Sequence, residues 1–459
     1  MATHRFELAT ELPFPAGVLW EWHTRPGALE RLTPPWEPVR ILERRGDLTR
    51  GTVVLEIPIG PTRQRWVARH LGGEEGVYFV DQQVEGPFTR WMHTHRFEPV
   101  GPDRCRYVDQ VEYELPFGAA GEMAAGSVER RLTRSFRYRH ATIAADLASH
   151  RRLQAMGPLT VLVTGASGLL GQALTAFLST GGHRVRRLGR GTPGPDAFRW
   201  DPAQGELDPA ALAGVDAVVH LAGESIAGAR WSPAQRRRIL ESRVQGTALL
   251  AERLAALPDR PRVLVSASAV GVYGNRGDTA LLETTPLHTG PDLMFVEQVG
   301  QAWEGATAAA EQAGIRTVHA RIGLVLTPAG GGMEQMLRPF QAGVGGRLGN
   351  GRQYMSWIGI DDVVGAIHHA LGTPALGGPV NFTAPMPVTN AEFTRVLGQV
   401  LGRPTIFAVP AAALRLAVGE MADELLLASL RVIPERLRES GYTFRHAELG
   451  PALRHVLGR

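Results

Sequence analysis

Val161-Leu-Val-Thr-Gly-Ala-Ser-Gly-Leu-Leu-Gly171 decides the fold. An apolar run ends at Gly165, and Gly168 and Gly171 follow at even spacing. Each glycine answers a separate physical demand. Gly165 lets a strand end turn sharply, Gly168 lets a pyrophosphate approach the backbone, and Gly171 lets the next helix lie close to the sheet. The amides of that helix start, Ser167 to Leu170, then point at the phosphates, and the helix dipole complements their charge. The stretch follows a strand, opens a helix and begins a strand–helix–strand unit. The expected fold is therefore α/β, a doubly wound parallel Rossmann sheet, with Gly165, Ser167, Gly168, Leu169, Leu170 and Gly171 as the cradle of a nicotinamide dinucleotide.

The next strand ends at Arg187-Leu-Gly-Arg190. An acidic residue there hydrogen-bonds the ribose hydroxyls of NAD, whereas an arginine pairs with a 2′-phosphate. Arg190 therefore favours NADP(H) over NAD(H). The fourth strand ends in Leu221-Ala-Gly223, small enough for backbone to touch a cofactor ribose, and the fifth ends in Ser266-Ala-Ser268, whose hydroxyls face the nicotinamide side.

Further strands are expected at Leu159–Thr164, Arg184–Leu188, Ala217–Leu221, Arg262–Ser266, Thr317–Ile322 and Pro379–Thr383, with helices at Pro233–Ala256 and Phe295–Ala313. Strands alternating with helices predict a parallel sheet. From about Pro385 the chain turns mostly helical, with Asn390 expected to cap a helix beginning at Ala391. Ahead of a polar linker, His150 to Pro158, the pattern is different. A strand at Phe6–Leu12 and a helix at Ala16–Arg31 precede strands at Thr52–Ile57, Arg65–His70, Val77–Val84, Thr89–Phe97 and Arg104–Leu115. Turn signals such as Pro58-Ile-Gly-Pro61 separate them, and a helix over Gly121–Ala148 closes the unit with Val128, Leu132, Phe136 and Ile143 at helical spacing. An antiparallel sheet gripping that helix is an α+β arrangement able to enclose an apolar cavity. Three domains are expected: residues 1–150, 158–385 and 386–459.

The whole-chain numbers exclude several functions. The 459 residues contain no lysine, so all 49 basic residues are arginine, which removes Schiff-base chemistry and a P-loop lysine. Cys105 is the one cysteine, so no intramolecular disulfide forms. The start, Met1 to Phe14, lacks the basic-then-apolar pattern of a secretory leader, and the expected compartment is the cytoplasm. Leu159 to Leu178 is apolar but strand-like before it turns helical, so we expect a buried strand–helix unit and no membrane span. Net charge is +4, yet the arginines are scattered and no basic run interleaves with aromatics, so no nucleic-acid partner is expected.

Residues 159 to about 455 resemble the atypical short-chain dehydrogenase/reductases of the epimerase-like family, which carry a C-terminal domain of unknown function. The resemblance rests on Thr164-Gly-Ala-Ser-Gly-Leu-Leu-Gly171, Trp200-Asp-Pro202, His220-Leu-Ala-Gly-Glu224, Arg230-Trp231, Ser242-Arg243, Gly246-Thr247 and Ser266-Ala-Ser-Ala-Val-Gly-Val-Tyr-Gly274. It continues through Trp303-Glu304, Arg321-Ile-Gly-Leu-Val-Leu326, Gly345-Gly346, Ser356-Trp357-Ile358, Asp361-Asp362, Pro434-Glu-Arg-Leu437 and Gly441-Tyr-Thr-Phe444. It adds Trp200 and Asp201 to the expected cofactor residues, beside Leu221, Ala222, Gly223 and Ser266. It implies an oxidoreductase or epimerase acting on a small substrate. Residues 1 to about 150 resemble the START-like, polyketide-cyclase-like (SRPBCC) helix-grip fold through Pro34-Pro-Trp36, Gly86-Pro-Phe88 and Trp91-Met-His93-Thr-His95. That implies a pocket for an apolar small molecule, with Trp20, Trp22, Trp36, Trp66, Phe79, Phe88 and Trp91 as candidate lining.

Active members of the wider superfamily use a tyrosine acid/base with a lysine four residues later to lower its pKa. The corresponding stretch here, Pro291 to Trp303, has neither, as the resemblance implies for this family. The candidate catalytic groups are Ser268, Glu224 and Tyr273, and the alternative is a non-catalytic, NADP(H)-binding sensor coupled to the pocket domain. Glu224 is alternatively a cap, or a partner of Arg230 or Arg243. Gly359 stands where relatives carry a histidine, so any proton relay through that position is lost. His70, His93 and His95 have no carboxylate or cysteine at a convincing ligand spacing and are read as pocket lining, with no metal assigned.

Overall fold

The computed structural model describes residues 2–60 and 62–459, so Pro61 of the turn expected at Pro58–Pro61 lies outside the described residues. The chain falls into two compact units, in the main residues up to Arg152 and residues from Leu153 onward. No helix among the described residues is long and apolar enough to cross a membrane.

The first unit is an antiparallel sheet of β1 (Thr3–Leu12), β2 (Arg40–Arg45), β3 (Thr52–Ile59), β4 (Thr62–Glu74), β5 (Tyr78–Glu85), β6 (Arg90–Gly101) and β7 (Arg104–Glu114), in the order β1-β7-β6-β5-β4-β3-β2. Its inward residues alternate along the strands, as the two-residue period of a half-covered sheet requires. They meet one face of a long helix, Ala125–Arg152, through Leu132, Phe136, Ile143 and Leu147. The expected helix at Ala16–Arg31 is two pieces, α1 (Ala16–Thr24) and α2 (Ala28–Leu32). Pro26 supplies no amide donor and Gly27 sits at φ 94°, so the helix cannot run through. β2 was not expected, because its charged, half-exposed sequence carries no apolar alternation.

The second unit is an eight-stranded sheet. Its strands are β8 (Thr160–Thr164), β9 (Arg184–Gly189), β10 (Ala197–Asp201), β11 (Glu206–Leu207), β12 (Ala217–His220), β13 (Val263–Ala269), β14 (Arg316–Ile322) and β15 (Gly378–Phe382). The spatial order is β11-β10-β9-β8-β12-β13-β14-β15, parallel throughout except at β10–β11. Leaving out β11, this is the doubly wound order, reversing direction between β8 and β12. Both faces are covered. Val161 and Val163 join Leu174 and Phe177 of one helix (Leu169–Thr180) and Val363 and Ile367 of another (Ile360–Gly372), while Leu162 points the other way to Leu250 and Leu254 of a third, Pro233–Ala255. The third strand, β10, had not been recognised. The expected helix at Phe295–Ala313 is two, Phe295–Gly305 and Ala308–Gln312. The helix of Asn390–Leu401 is capped by Thr389, whose hydroxyl accepts the Glu392 amide, while Asn390 Oδ1 accepts the Leu348 amide at 2.8 Å. The C-terminal part is mainly helical and packs Leu449, Leu453 and Val456 against Phe393 and Leu397.

Candidate functional site

The sheet reverses direction where β8 and β12 end, and side chains fasten those ends together. Thr164 Oγ1 accepts the amides of Leu221 at 3.1 Å and Ala222 at 3.2 Å. Its own proton is therefore directed to His220 Nδ1, 2.7 Å away, which leaves the ring proton on Nε2 facing Thr247 Oγ1 at 2.9 Å. Burial lowers the His220 imidazole to about 4, so the ring is neutral in this position. Gly165 follows at φ 67°, and a Cβ there would lie 2.8 Å from the Leu221 carbonyl carbon. Only glycine satisfies both the backbone angle and the close passage of the fourth strand's end.

The helix start behaves as the glycine spacing demands, with one difference. The Gly168 amide closes the turn onto the Gly165 carbonyl at 2.9 Å and does not face outward. The first helical bond runs from the Gln172 amide to the Gly168 carbonyl at 2.9 Å. The amides of Leu169, Leu170 and Gly171 precede it and have no intrahelical acceptor. Ser167 and Gly168 are exposed at the tip of this turn. Gly171 is buried against the turn itself, where a Cβ would overlap the Gly165 carbonyl and lie 2.6 Å from Ala166 Cα.

Around this cradle, Leu221 and Ala222 are half-buried and Gly223 is exposed. Arg190, one residue beyond β9, is exposed and makes no ion pair among the described residues. Ser266 Oγ is buried with no hydrogen-bond partner among the described residues. The free amides, the bare glycine surface and the unengaged guanidinium fit a dinucleotide diphosphate. Trp200 and Asp201 are placed otherwise. Trp200 is 4% exposed and packs edge-on to His220 with Gly246 beneath it. The Asp201 carboxylate caps the following turn through the Ala203 amide at 3.1 Å. Packing accounts for the placement of Trp200 and turn capping for that of Asp201.

Of the candidate catalytic groups, Tyr273 is fully buried. Its hydroxyl accepts from Arg321 at 2.9 Å and donates to Asn381 Oδ1 at 2.8 Å, and burial raises its pKa further. Ser268 is buried and donates to Glu304 at 2.7 Å. Glu304 is clasped by Arg321 through two bonds of 2.8 Å. Against burial, which would raise it, Arg321 and Ser268 hold the Glu304 carboxyl below its ordinary value. Glu224 is exposed at the crevice rim. Ser242 accepts its amide at 3.0 Å and Arg243 donates to its carbonyl at 2.9 Å, while its carboxylate forms no salt bridge among the described residues. Arg243 lies over the Trp303 ring at 4.7 Å, and burial lowers its guanidinium to about 10. Gly359 sits at the N-terminus of the helix over Ile360–Gly372. The sequence assigned no role to Thr164, His220, Glu304 or Arg321, and Arg243 was expected only as an alternative partner of Glu224. All five stand in the motifs quoted above, but only the fold shows which of them touch.

The first unit holds a cavity of about 1220 Å³ lined by Trp20, Trp66, Phe79, Phe88 and Trp91. Trp22 is instead fully buried in the core, and Trp36 packs edge-on to Tyr138. His70, His93 and His95 all face the cavity.

Fold and crevice together define a Rossmann protein of the short-chain dehydrogenase/reductase type. Three family models match: the NAD dependent epimerase/dehydratase family over residues 161–382, a domain of unknown function (DUF1731) over 409–456, and the polyketide cyclase/dehydrase and lipid transport family over 12–140. An epimerase family protein of Mycobacterium bovis is 45% identical over 306 residues, covering 66% of this chain and 99% of its own. A crystal structure described as a nucleoside-diphosphate sugar epimerase from Corynebacterium glutamicum is 35% identical, covers 99% of this chain and 90% of its own, and superposes with a TM-score of 0.82. The human epimerase family protein SDR39U1, solved with NADPH, is 35% identical over 65% of this chain and 99% of its own, with a TM-score of 0.60. The chain belongs to the epimerase family, with an N-terminal polyketide-cyclase-like domain and a C-terminal DUF1731 domain.

Proposed function

We propose that the second unit binds NADP(H) and serves as an oxidoreductase or epimerase on a small substrate, while the cavity of the first unit takes an apolar small molecule. The observation that supports the dinucleotide reading is the helix start at Leu169–Gly171, whose amides precede the first helical bond, placed after β8 at the strand-order reversal between β8 and β12. Arg190 supports the choice of NADP(H), because it stands exposed and unpaired beyond the second strand, where a 2′-phosphate is read. The human relative's structure with NADPH agrees with that choice. The division into domains 1–150, 158–385 and 386–459 belongs to the same proposal. When bound, the dinucleotide supplies a hydride acceptor or donor. The chain supplies amides for the diphosphate, Arg190 for the extra phosphate, and the rim around Gly223 and Glu224 for the substrate.

Calorimetric titration with NADPH and NADH tests the reading. Arg190→Ala is expected to weaken NADPH by about tenfold to a hundredfold, the worth of one charge-assisted contact, and to leave NADH unchanged. No saturation with either dinucleotide would overturn it. A second reading, a binder without turnover, is favoured by the burial of Tyr273 and the capture of Ser268 by Glu304. Reduction of carbonyl compounds by NADPH, abolished by Gly168→Asp, supports the enzyme. Tight binding with no turnover across a broad panel supports the sensor.

A further inference from the structure

The floor of the first unit's cavity brings together two histidines and two carboxylates from three neighbouring strands. In the sheet register Asp81 of β5 lies opposite His93 of β6, and His95 of β6 lies opposite Asp109 of β7. Asp109 is fully buried and acts as a common acceptor. Its Oδ1 accepts from His93 Nε2 at 2.9 Å and from the Tyr107 hydroxyl at 3.1 Å, and its Oδ2 accepts from His140 Nε2 at 3.0 Å; His95 Nδ1 bonds the same Tyr107 hydroxyl at 3.1 Å and lies 2.8 Å from Asp109 Oδ1. With the His93 ring proton committed to Asp109 and the His95 ring proton to Tyr107, His93 Nδ1 and His95 Nε2 are left facing the same atom, Asp81 Oδ2, at 3.3 and 3.6 Å. In those neutral-ring tautomers three ligand atoms of metal-binding type converge on one point. The longer separation exceeds a hydrogen bond. Both separations match the edge of a metal-centred tetrahedron, about 3.4 Å for bonds of roughly 2.1 Å.

We infer that Asp81, His93 and His95 hold a divalent transition-metal ion of the zinc(II) or iron(II) class, with a coordination position open to the cavity. Two histidines and one carboxylate are a ligand set suited to those ions. Asp109 is the outer carboxylate that fixes both rings in the tautomers ligation needs. Charge argues the same way. Neither Asp81 nor Asp109 forms a salt bridge with an arginine among the described residues; their ionic partners are histidines alone. A dication beside them balances the half-buried Asp81 and the buried Asp109 carboxylates without protonating an imidazole. All three ligands line the cavity, so the remaining position faces its interior, open to a water or to an oxygen of a bound molecule.

The test is a cobalt(II) titration of the chelator-stripped full chain. Uptake of one cobalt per chain is expected, with the visible absorption of a low-coordinate site, reversed by zinc. Asp81→Asn and His95→Gln are expected to weaken binding at least tenfold, and Asp109→Asn by about 10- to 100-fold through loss of ring orientation. X-ray absorption of the zinc-loaded wild-type chain is independent of whether those variants fold, and is expected to show two imidazole nitrogens with oxygen completing the shell. No stoichiometric uptake by the wild type, uptake unchanged in folded Asp81→Asn, or a zinc shell without imidazole overturns the inference.

Discussion

Replacing Gly171 by alanine puts a methyl group where the backbone of the glycine turn already stands. The added carbon overlaps the Gly165 carbonyl and lies 2.6 Å from Ala166 Cα and 2.8 Å from Gly165 C, whereas ordinary contact begins near 3.4 Å. None of these atoms belongs to a side chain that can rotate away, so turn and helix must part by roughly 1 Å, an overpacking that costs about 1–3 kcal/mol. Alanine's better helix propensity returns at most about 1 kcal/mol. The net loss of stability is about 1–2 kcal/mol. The effect on binding is larger, because the shift carries the Leu169 and Leu170 amides off the diphosphate. A hydrogen bond to a charged group is worth about 1.5–3 kcal/mol, so losing one weakens the dinucleotide roughly tenfold to a hundredfold. Gly168→Ala is the control in space: its new methyl meets only the Gly165 carbonyl oxygen, at 3.2 Å, so the fold gives by a few tenths of an ångström while the exposed turn tip is obstructed. Urea unfolding followed by circular dichroism gives the stability, and NADPH fluorescence gives the affinity. The reasoning fails if Gly171→Ala unfolds at the wild-type midpoint and binds NADPH as tightly.

Three further outcomes follow from buried polar groups. The folded His220 imidazole is lowered to about 4 from an ordinary 6.5, so the unfolded chain takes up a proton that the folded chain refuses. Stability is full above pH 6.5 and falls by about 3 kcal/mol as pH drops to about 4, and the difference in unfolding midpoint between wild type and His220→Gln across that window measures it. Tyr273→Phe removes the hydroxyl between Arg321 and Asn381 and is expected to cost about 1–3 kcal/mol of stability while leaving any NADPH turnover intact; a selective loss of kcat would return Tyr273 to the chemistry. In the first unit, Arg31 grips Asp146 with two bonds of 2.8 Å, and their side chains are 5% and 0% exposed. Asp146→Ala removes both bonds from a buried guanidinium and is expected to destabilise that unit by about 3–5 kcal/mol, read in its thermal transition.

What the sequence discloses depends on whether the information is local. The turn at Gly165, the helix start after Gly168 and the strand end at Leu221 were legible, because spacing along the chain encodes each of them, whereas the fifth strand runs three residues past the expected end at Ser266. Arg190 was legible as a position but not as an unpaired side chain. β10 escaped, since it is five residues long and follows a loop of Gly, Pro and Asp that reads as continuous turn. The convergence of Asp81 and Asp109 on His93 and His95 escaped for a different reason. The four lie on three strands and meet only through cross-strand register, and register has no signature in the spacing of any one strand. For Trp200 and Tyr273 the motif gives the position along the chain, and only the fold gives the burial.

The network beneath the fifth strand narrows what chemistry the second unit can perform. In the wider superfamily a tyrosine gives up a proton because a neighbouring lysine brings its pKa toward working pH. Here the chain has no lysine, burial moves Tyr273 the other way, and its hydroxyl is already bonded on both sides. The helix over Phe295–Gly305 contributes Glu304 instead, an acid whose charge Arg321 already neutralises and whose remaining bond Ser268 occupies. Drawing a proton through that network means breaking a buried ion pair, at a cost of about 3–5 kcal/mol before any bond in a substrate moves. A carboxylate without such a partner stands at the rim: Glu224, exposed, its backbone pinned by Ser242 and Arg243 and its side chain outside any salt bridge among the described residues. On the proposed reading, the acid or base is therefore sought at the mouth of the crevice, while the interior network ties the helix over Phe295–Gly305 to the fifth and sixth strands through Ser268 and Arg321.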